Sequence, residues 1–208
     1  WEYRDSSGYS MPHNPEKLEV IYNLKSKNDI SSNHFEMYAQ DTWRHETDRG
    51  IINLNYGLRL SNWSWNNEWL ISPRASVAYI PKKHDNMLFR LATGLYYQRP
   101  FYKELRDTIS HGATTIVELN KDIQSQRSFQ VIAAYEYRFK VANRPFLFAT
   151  ELYYKAQDRL NPYTVDNTKI IYYGRNCATG NVMGADFKLY GEFVPGTDSW
   201  LTFSLMRA

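Results

Sequence analysis

Along this chain, stretches of about ten residues alternate apolar and polar side chains one for one, and the connections between them are alternately short and long. A period of two is the signature of a strand whose two faces meet different surroundings. Ile52, Leu54, Tyr56, Leu58 and Leu60 alternate with Asn53, Asn55, Gly57, Arg59 and Ser61. Met87, Phe89, Leu91, Thr93, Leu95 and Tyr97 oppose Leu88, Arg90, Ala92, Gly94, Tyr96 and Gln98. Phe129, Val131, Ala133, Tyr135, Tyr137 and Phe139 oppose Ser128, Gln130, Ile132, Ala134, Glu136 and Arg138, and Met183, Ala185, Phe187, Leu189 and Phe193 oppose Gly184, Asp186, Lys188, Tyr190 and Glu192. Phe35–Arg44, Ser72–Ile80, Phe146–Lys155 and Trp200–Met206 fit the same pattern less cleanly, which brings the expected number of strands to about eight. Lys17–Lys27 is read as a ninth strand or a hairpin arm, and Phe101–Ser110 as a short loop helix. The short turns expected are His45–Gly50, Pro81–Asn86, Lys140–Pro145 and Val194–Asp198. The long connections expected are Ser61–Leu70, Arg99–Gln126 and Ala156–Thr179.

Length admits a single domain: 208 residues can bury a core. Composition points elsewhere. Aromatic residues make up 16% of the chain, seventeen of them Tyr, while the mean hydropathy is −0.60. No run approaches the roughly 18 consecutive apolar residues of a membrane helix. A membrane barrel escapes that test, because its apolar residues occupy every second position and average away. A net charge of +3 is too small to point to nucleic acid. Cys177 is the single cysteine, so no disulfide framework and no thiolate metal cluster is expected. The chain opens at Trp1 without an initiator Met or signal peptide and closes on Leu205-Met206-Arg207-Ala208 within an expected strand, so both ends read as interior to a longer protein.

Two all-β architectures alternate in this way, a soluble sandwich and a transmembrane barrel. Strand length favours the barrel, since these runs exceed the five or six residues usual in soluble sheets. So does the rest of the pattern. The apolar face is rich in Tyr and Phe near the strand ends, as an aromatic girdle is, and the opposite face carries Arg59, Arg74, Arg90, Glu136, Arg138, Asp186 and Lys188, a mixed-charge set suited to a wet lumen. The expectation is an all-β, antiparallel up-and-down meander forming part of the wall of a large transmembrane β-barrel, with residues 1–208 as one partial segment.

Four phrases carry a family resemblance. They are Tyr38-Ala39-Gln40-Asp41-Thr42-Trp43, Leu54-Asn55-Tyr56-Gly57-Leu58-Arg59, Ile71-Ser72-Pro73-Arg74-Ala75-Ser76-Val77-Ala78-Tyr79, and Leu91-Ala92-Thr93-Gly94-Leu95-Tyr96-Tyr97-Gln98-Arg99-Pro100 followed by Glu104-Leu105. In order and spacing they resemble the signatures of TonB-dependent outer-membrane receptors, and the Tyr-rich loops look most like those of Bacteroidetes. The resemblance implies a closed barrel of roughly 22 strands filled by a plug domain. This chain would supply about a third of that wall. The plug and the energy-coupling segment lie at the family's N-terminal end, outside this chain, and Ala208 is not the aromatic residue on which the family's last strand ends. The implied function is energy-coupled uptake of a small-molecule or oligosaccharide ligand across the outer membrane of a Gram-negative cell. The implied partners are the plug, an inner-membrane energy-coupling complex and membrane lipid, with no nucleic acid, no cofactor and no enzymatic activity. In that setting Arg59 and Arg74 are read as structural.

Ligand contacts are expected in the loops, which the wall merely holds in place. Trp63, Trp65 and Trp69 form one candidate cluster, suited to a sugar ring or flat macrocycle, and equally to an interfacial girdle. Tyr102 and Arg106, with Lys103 and His111, mark the second loop as a gate or an anion contact. Tyr163, Tyr172 and Arg175, with Tyr173, mark the third. Solvation explains the same polar residues without any ligand. His13, His34, His45, His84 and His111 show no metal-ligand spacing, and no nucleophile elbow or convincingly placed acid pair is present. The rival readings are a soluble or surface-anchored β-domain that binds glycans through aromatic loops, and an outer-membrane enzyme or autotransporter barrel, small and complete. The phrases leave ferric siderophore, cobalamin, haem and oligosaccharide open as substrates.

Overall fold

The computed structural model describes residues 23–25, 28–111, 114–166 and 169–208. Among these the strands are β1 (Asn23–Lys25), β2 (His34–Glu46), β3 (Gly50–Trp63), β4 (Glu68–Pro81), β5 (Met87–Gln98), β6 (Arg106–His111), β7 (Thr114–Leu119), β8 (Gln126–Val141), β9 (Arg144–Leu160), β10 (Tyr163–Asp166), β11 (Lys169–Tyr172), β12 (Ala178–Val194) and β13 (Thr197–Arg207). The long strands form one eight-stranded sheet in the order β13-β12-β9-β8-β5-β4-β3-β2. Every neighbouring pair in it is antiparallel, so the architecture is the expected up-and-down meander. The sheet is not closed: β2 and β13 are its two edges.

Register assigns each side chain to a face. One row of directly opposed residues runs Trp43, Leu54, Val77, Leu91, Ala133, Leu152, Ala185, Leu205 across all eight strands. A row on the other face runs Arg44, Asn53, Ala78, Arg90, Ala134, Glu151, Asp186, Ser204. All the alternating sets read from the sequence fall on the faces expected of them. Arg90 and Arg138 flank Glu136 on the polar face, at 3.7 and 3.6 Å. On the apolar face Asp41 is an exception within the strands, on edge strand β2, where the Tyr56 hydroxyl donates to it at 3.0 Å. Little covers the apolar face among the described residues: Leu91, Leu152 and Leu205 are about half exposed, Leu152 at 56%.

Short turns close one end of the pairs β2–β3, β4–β5, β8–β9 and β12–β13. Thr47–Gly50, Pro81–Met87, Ala142–Asn143 and Pro195–Gly196 lie there. Positive φ at Ala142 (50°) and Asn143 (63°) marks a two-residue turn of the type that matches sheet twist, and Gly196 (76°) after Pro195 supplies the positive φ its turn needs. Near this end aromatic rings of the apolar face pack in sequence: Tyr137 on Phe139 at 5.4 Å, Phe139 on Phe146 at 5.7 Å, and Phe146 edge-on to Phe193 at 5.3 Å.

The connections at the other end depart from expectation. Ser61–Leu70 is not a long loop, because β3 and β4 keep pairing up to Trp63 opposite Glu68 and leave a four-residue turn, 64–67. Arg99–Gln126 holds a 3-10 turn at Tyr102–Leu105, and the helix expected to continue to Ser110 gives way to strand β6, paired with β7. The β-branched Thr108 and Ile109 suit that strand better than a helix. Ala156–Thr179 is shortened because β9 runs on to Leu160, and its middle is the β10–β11 hairpin. Most of Lys17–Lys27 lies outside the described residues; Asn23–Lys25 pairs in parallel with Thr114–Ile116 of β7.

Candidate functional site

Among the described residues, a buried hydrophobic cluster lies over one end of the polar face. Trp63, Leu105 and Ile123 form it, with Trp65 and Leu119 packed against them. Around it Ser61, Leu70 and Ser72, polar-face positions on β3 and β4, are also buried. Burial there follows from the connection after β5, which folds back across the mouth of the polar face instead of projecting into water.

Polar contacts fix that fold-back. Glu68 accepts from both the backbone N–H (2.9 Å) and the hydroxyl (2.7 Å) of fully buried Ser125, and the Arg159 guanidinium lies 3.7 Å from its other oxygen. The Asn66 amide donates to the Ile123 carbonyl at 2.9 Å, and the Trp65 indole N–H donates to the Asn120 carbonyl at 3.2 Å. Asn120 in turn donates to the Gly174 carbonyl at 2.9 Å. Asn176 accepts from the Gln124 N–H at 2.8 Å and donates to the Gln124 carbonyl at 2.9 Å. The connections after β5 and β9 are thereby tied to each other and to the β3–β4 turn. Glu104 is buried beside Gln126, whose amide donates to it at 3.3 Å. Burial raises the Glu104 carboxyl above its ordinary range, and hydrogen bonds from Gln126 and the Phe101 backbone only partly oppose the shift.

A basic cleft lies on the same polar face. Glu36 stands between Arg59, which bonds one carboxylate oxygen, and Arg99, which donates to the other at 2.7 Å; His34 contacts the same group. Arg99 is the first residue after β5, so the cap and the cleft share it. Arg74 completes the group with its guanidinium 6.0 Å from the centroid of the Tyr96 ring. Three adjoining recesses of about 350, 180 and 460 Å³ all include Arg74 in their walls.

The residues singled out in the sequence divide among different surroundings. The three tryptophans do not form one cluster. Trp63 is a core residue, 6% exposed; Trp65 is half buried with Lys121 over its ring at 5.6 Å; Trp69 lies on the apolar face, 59% exposed, beside Asn62. The reason is the strand itself, which sends Trp63 and Asn62 to opposite faces and places Trp69 opposite Asn62. Tyr102 is exposed in the 3-10 turn, and Arg106 begins β6. Tyr163 and Tyr172 face each other across the β10–β11 hairpin with ring centroids 5.8 Å apart, and Arg175 is exposed in the turn that follows. Glu36, Arg99 and Tyr96 were not among the expected site residues, and Arg59 and Arg74 were read as structural. Alternation alone places all but Arg99 on the polar face; bringing them together takes the register of four strands.

No family model matches this chain, and no curated protein or solved structure matches it. Among the described residues no group of three His, Cys, Asp or Glu side chains gathers as a metal site.

Two predictions test the cap. Glu68→Ala removes the acceptor of two buried Ser125 donors, which should cost the cap about 1–3 kcal/mol and speed proteolysis within 99–126, while the wall strands keep their amide protection. A raised carboxyl favours the protonated folded state, so cap stability should be greatest below about pH 4.5, the ordinary value, and fall as pH rises through the raised one. The protection factor of the Asn120 amide, whose N–H bonds the Leu105 carbonyl, should therefore fall over that range, and Glu104→Gln should flatten the dependence.

Proposed function

We propose that this sheet is part of the wall of a TonB-dependent outer-membrane receptor, a transporter that takes up a scarce nutrient with energy supplied from the inner membrane. The observation that carries the reading is the partition of the two faces over all eight strands. In a bilayer, an apolar face with aromatic rings at its margin meets lipid, and a charged face meets water or a plug. The dimensions suit this. Phe129 and Phe139 bound the apolar run of β8 ten residues apart, about 33 Å along a strand and about 25 Å along the membrane normal at a tilt of ~40°, the height of a barrel's apolar band. Above that band the apolar-face pair is charged, Arg127 with Asp158 at 2.9 Å, as suits a headgroup level.

The open edges fit the same reading. Unpaired backbone groups on β2 and β13 are intolerable in hydrocarbon, so further strands must close the wall. The cap lies on the lumenal side in this arrangement and narrows the outer mouth, where a ligand first meets the receptor. Among the described residues no second sheet packs on the apolar face, as the rival soluble glycan-binding β-domain requires. Within the proposal the substrate is a siderophore chelate, cobalamin, haem or an oligosaccharide.

An antibody against 99–126 should detect a heat-modifiable band in native outer membranes, running differently boiled and unboiled. A heat-insensitive band in the soluble fraction contradicts the proposal. On the same blot Leu152→Arg, which puts a cation on the lipid face at a cost of about 2–4 kcal/mol near the midplane, should lose the unboiled form. Its neighbour variant Glu151→Arg, on the polar face, should keep it.

A further inference from the structure

The row of the polar face that holds Arg74 is built differently from its neighbours. The residues opposite Arg74 on both adjoining strands are glycines, Gly57 on β3 and Gly94 on β5. Neither position leaves room for a side chain. A Cβ added at Gly57 would meet the Ala39 carbonyl at 3.0 Å, and one at Gly94 would meet the Tyr96 ring at 2.8 Å. Tyr96 thus folds back over Gly94 and presents its face toward Arg74.

Charge in the recess is unbalanced. Arg59, Arg74 and Arg99 line it together with the single carboxylate of Glu36, so three positive groups stand against one negative. Both Glu36 oxygens are already engaged, one by Arg59 and the other by Arg99 and His34. Arg74 has no carboxylate partner among the described residues, and the Arg99 Nε–H is buried without an acceptor. Elsewhere on this face Arg90 and Arg138 each reach a carboxylate, that of Glu136. The Arg74 guanidinium, left without a carboxylate, and the Arg99 Nε–H on the wall of the same recess form a site for a planar, bidentate anion.

We infer that the cleft between Arg59, Arg74 and Arg99 binds a small anion bearing two or more carboxylate or phosphoryl groups, taken either free or as the charged part of a larger ligand. The inference deepens the receptor reading by naming a substrate class. Arg99 belongs at once to the cleft and to the connection that carries the cap, so an anion drawn between Arg74 and Arg99 bridges wall and cap. Ser61 and Ser72, on the same wall of the recess, add hydroxyl donors. Arg74 supplies the uncompensated charge, with Tyr96 holding its guanidinium plane.

The test is calorimetric titration of the detergent-solubilised full-length protein with citrate and, separately, with inorganic pyrophosphate; maltose serves as a neutral control. The expected result is saturable binding of at least one anion that weakens with added salt. Arg74→Gln should weaken it about tenfold or more, and Arg74→Lys, which keeps the charge and loses the fork, by less. Arg90→Gln, outside the cleft, should leave it unchanged. Citrate or pyrophosphate alone binding identifies the carboxylate or the phosphoryl source. Absence of saturable binding of either anion, including the case in which a carboxylate of the protein itself fills the cleft, overturns the inference. An equal loss in Arg90→Gln overturns it too, since it makes the effect one of general charge. Each sample is also run boiled and unboiled: a retained unboiled band shows that a variant is folded and keeps the receptor reading separate, because that reading survives a failure to bind anions.

Discussion

Seven antiparallel pairings in fixed register sort the side chains of eight strands into two chemistries, and the rest of the structure depends on that sorting. A slip of one residue in any pairing would carry a whole strand's apolar set to the charged face and its arginines among leucines. Short turns at one end hold the register. Ala142 and Asn143 take up the left-handed backbone that a two-residue hairpin needs, and the Pro195-Gly196 pair does the same job with one positive φ. Among the described residues the sheet has little core of its own: the buried hydrophobic cluster joins Trp63 at the end of β3 to Leu105 and Ile123 of the cap.

That distribution of burial sets the division of labour. The wall is a two-sided surface whose stability depends on what lies against each face, while the cap is a small folded unit tied down by Glu68, Asn66, Asn120 and Asn176. The cap packs against Trp63 and Trp65, and Ser61, Leu70 and Ser72 nearby on the polar face are buried, on the same side that carries the arginines. The arginine cleft begins where the cap does, at Arg99.

Much of this was legible in the sequence because a strand writes its two faces in alternate letters. β3, β5, β8 and β12 read cleanly, and even the less regular β2, β4, β9 and β13 were placed. The misread connections share a cause: alternation continues through residues that look like loop. Asn62, Trp63, Glu68 and Trp69 read as a Trp- and Asn-rich connection, yet they pair across the sheet, and their pairing sends two of the expected clustered tryptophans to opposite faces. The β6–β7 hairpin was hidden for a related reason, being too short to show a period. The cleft was invisible for a different one. Gly57, Arg74 and Gly94 are far apart in sequence and are joined only by register, so the surroundings of Arg74 are a property of the sheet and not of any segment.

The central claim is that the apolar face meets lipid, and β8 tests it most directly. In a Cys177→Ser background, single cysteines placed in turn from Phe129 to Phe139 would be exposed to a membrane-impermeant maleimide in native outer membranes. The account predicts a period of two. Positions 129, 131, 133, 135, 137 and 139 should be protected until the membrane is dissolved and the chain unfolded, and the positions between them should react faster. Equal labelling of both sets, or protection of the even set with labelling of the odd one, would contradict it.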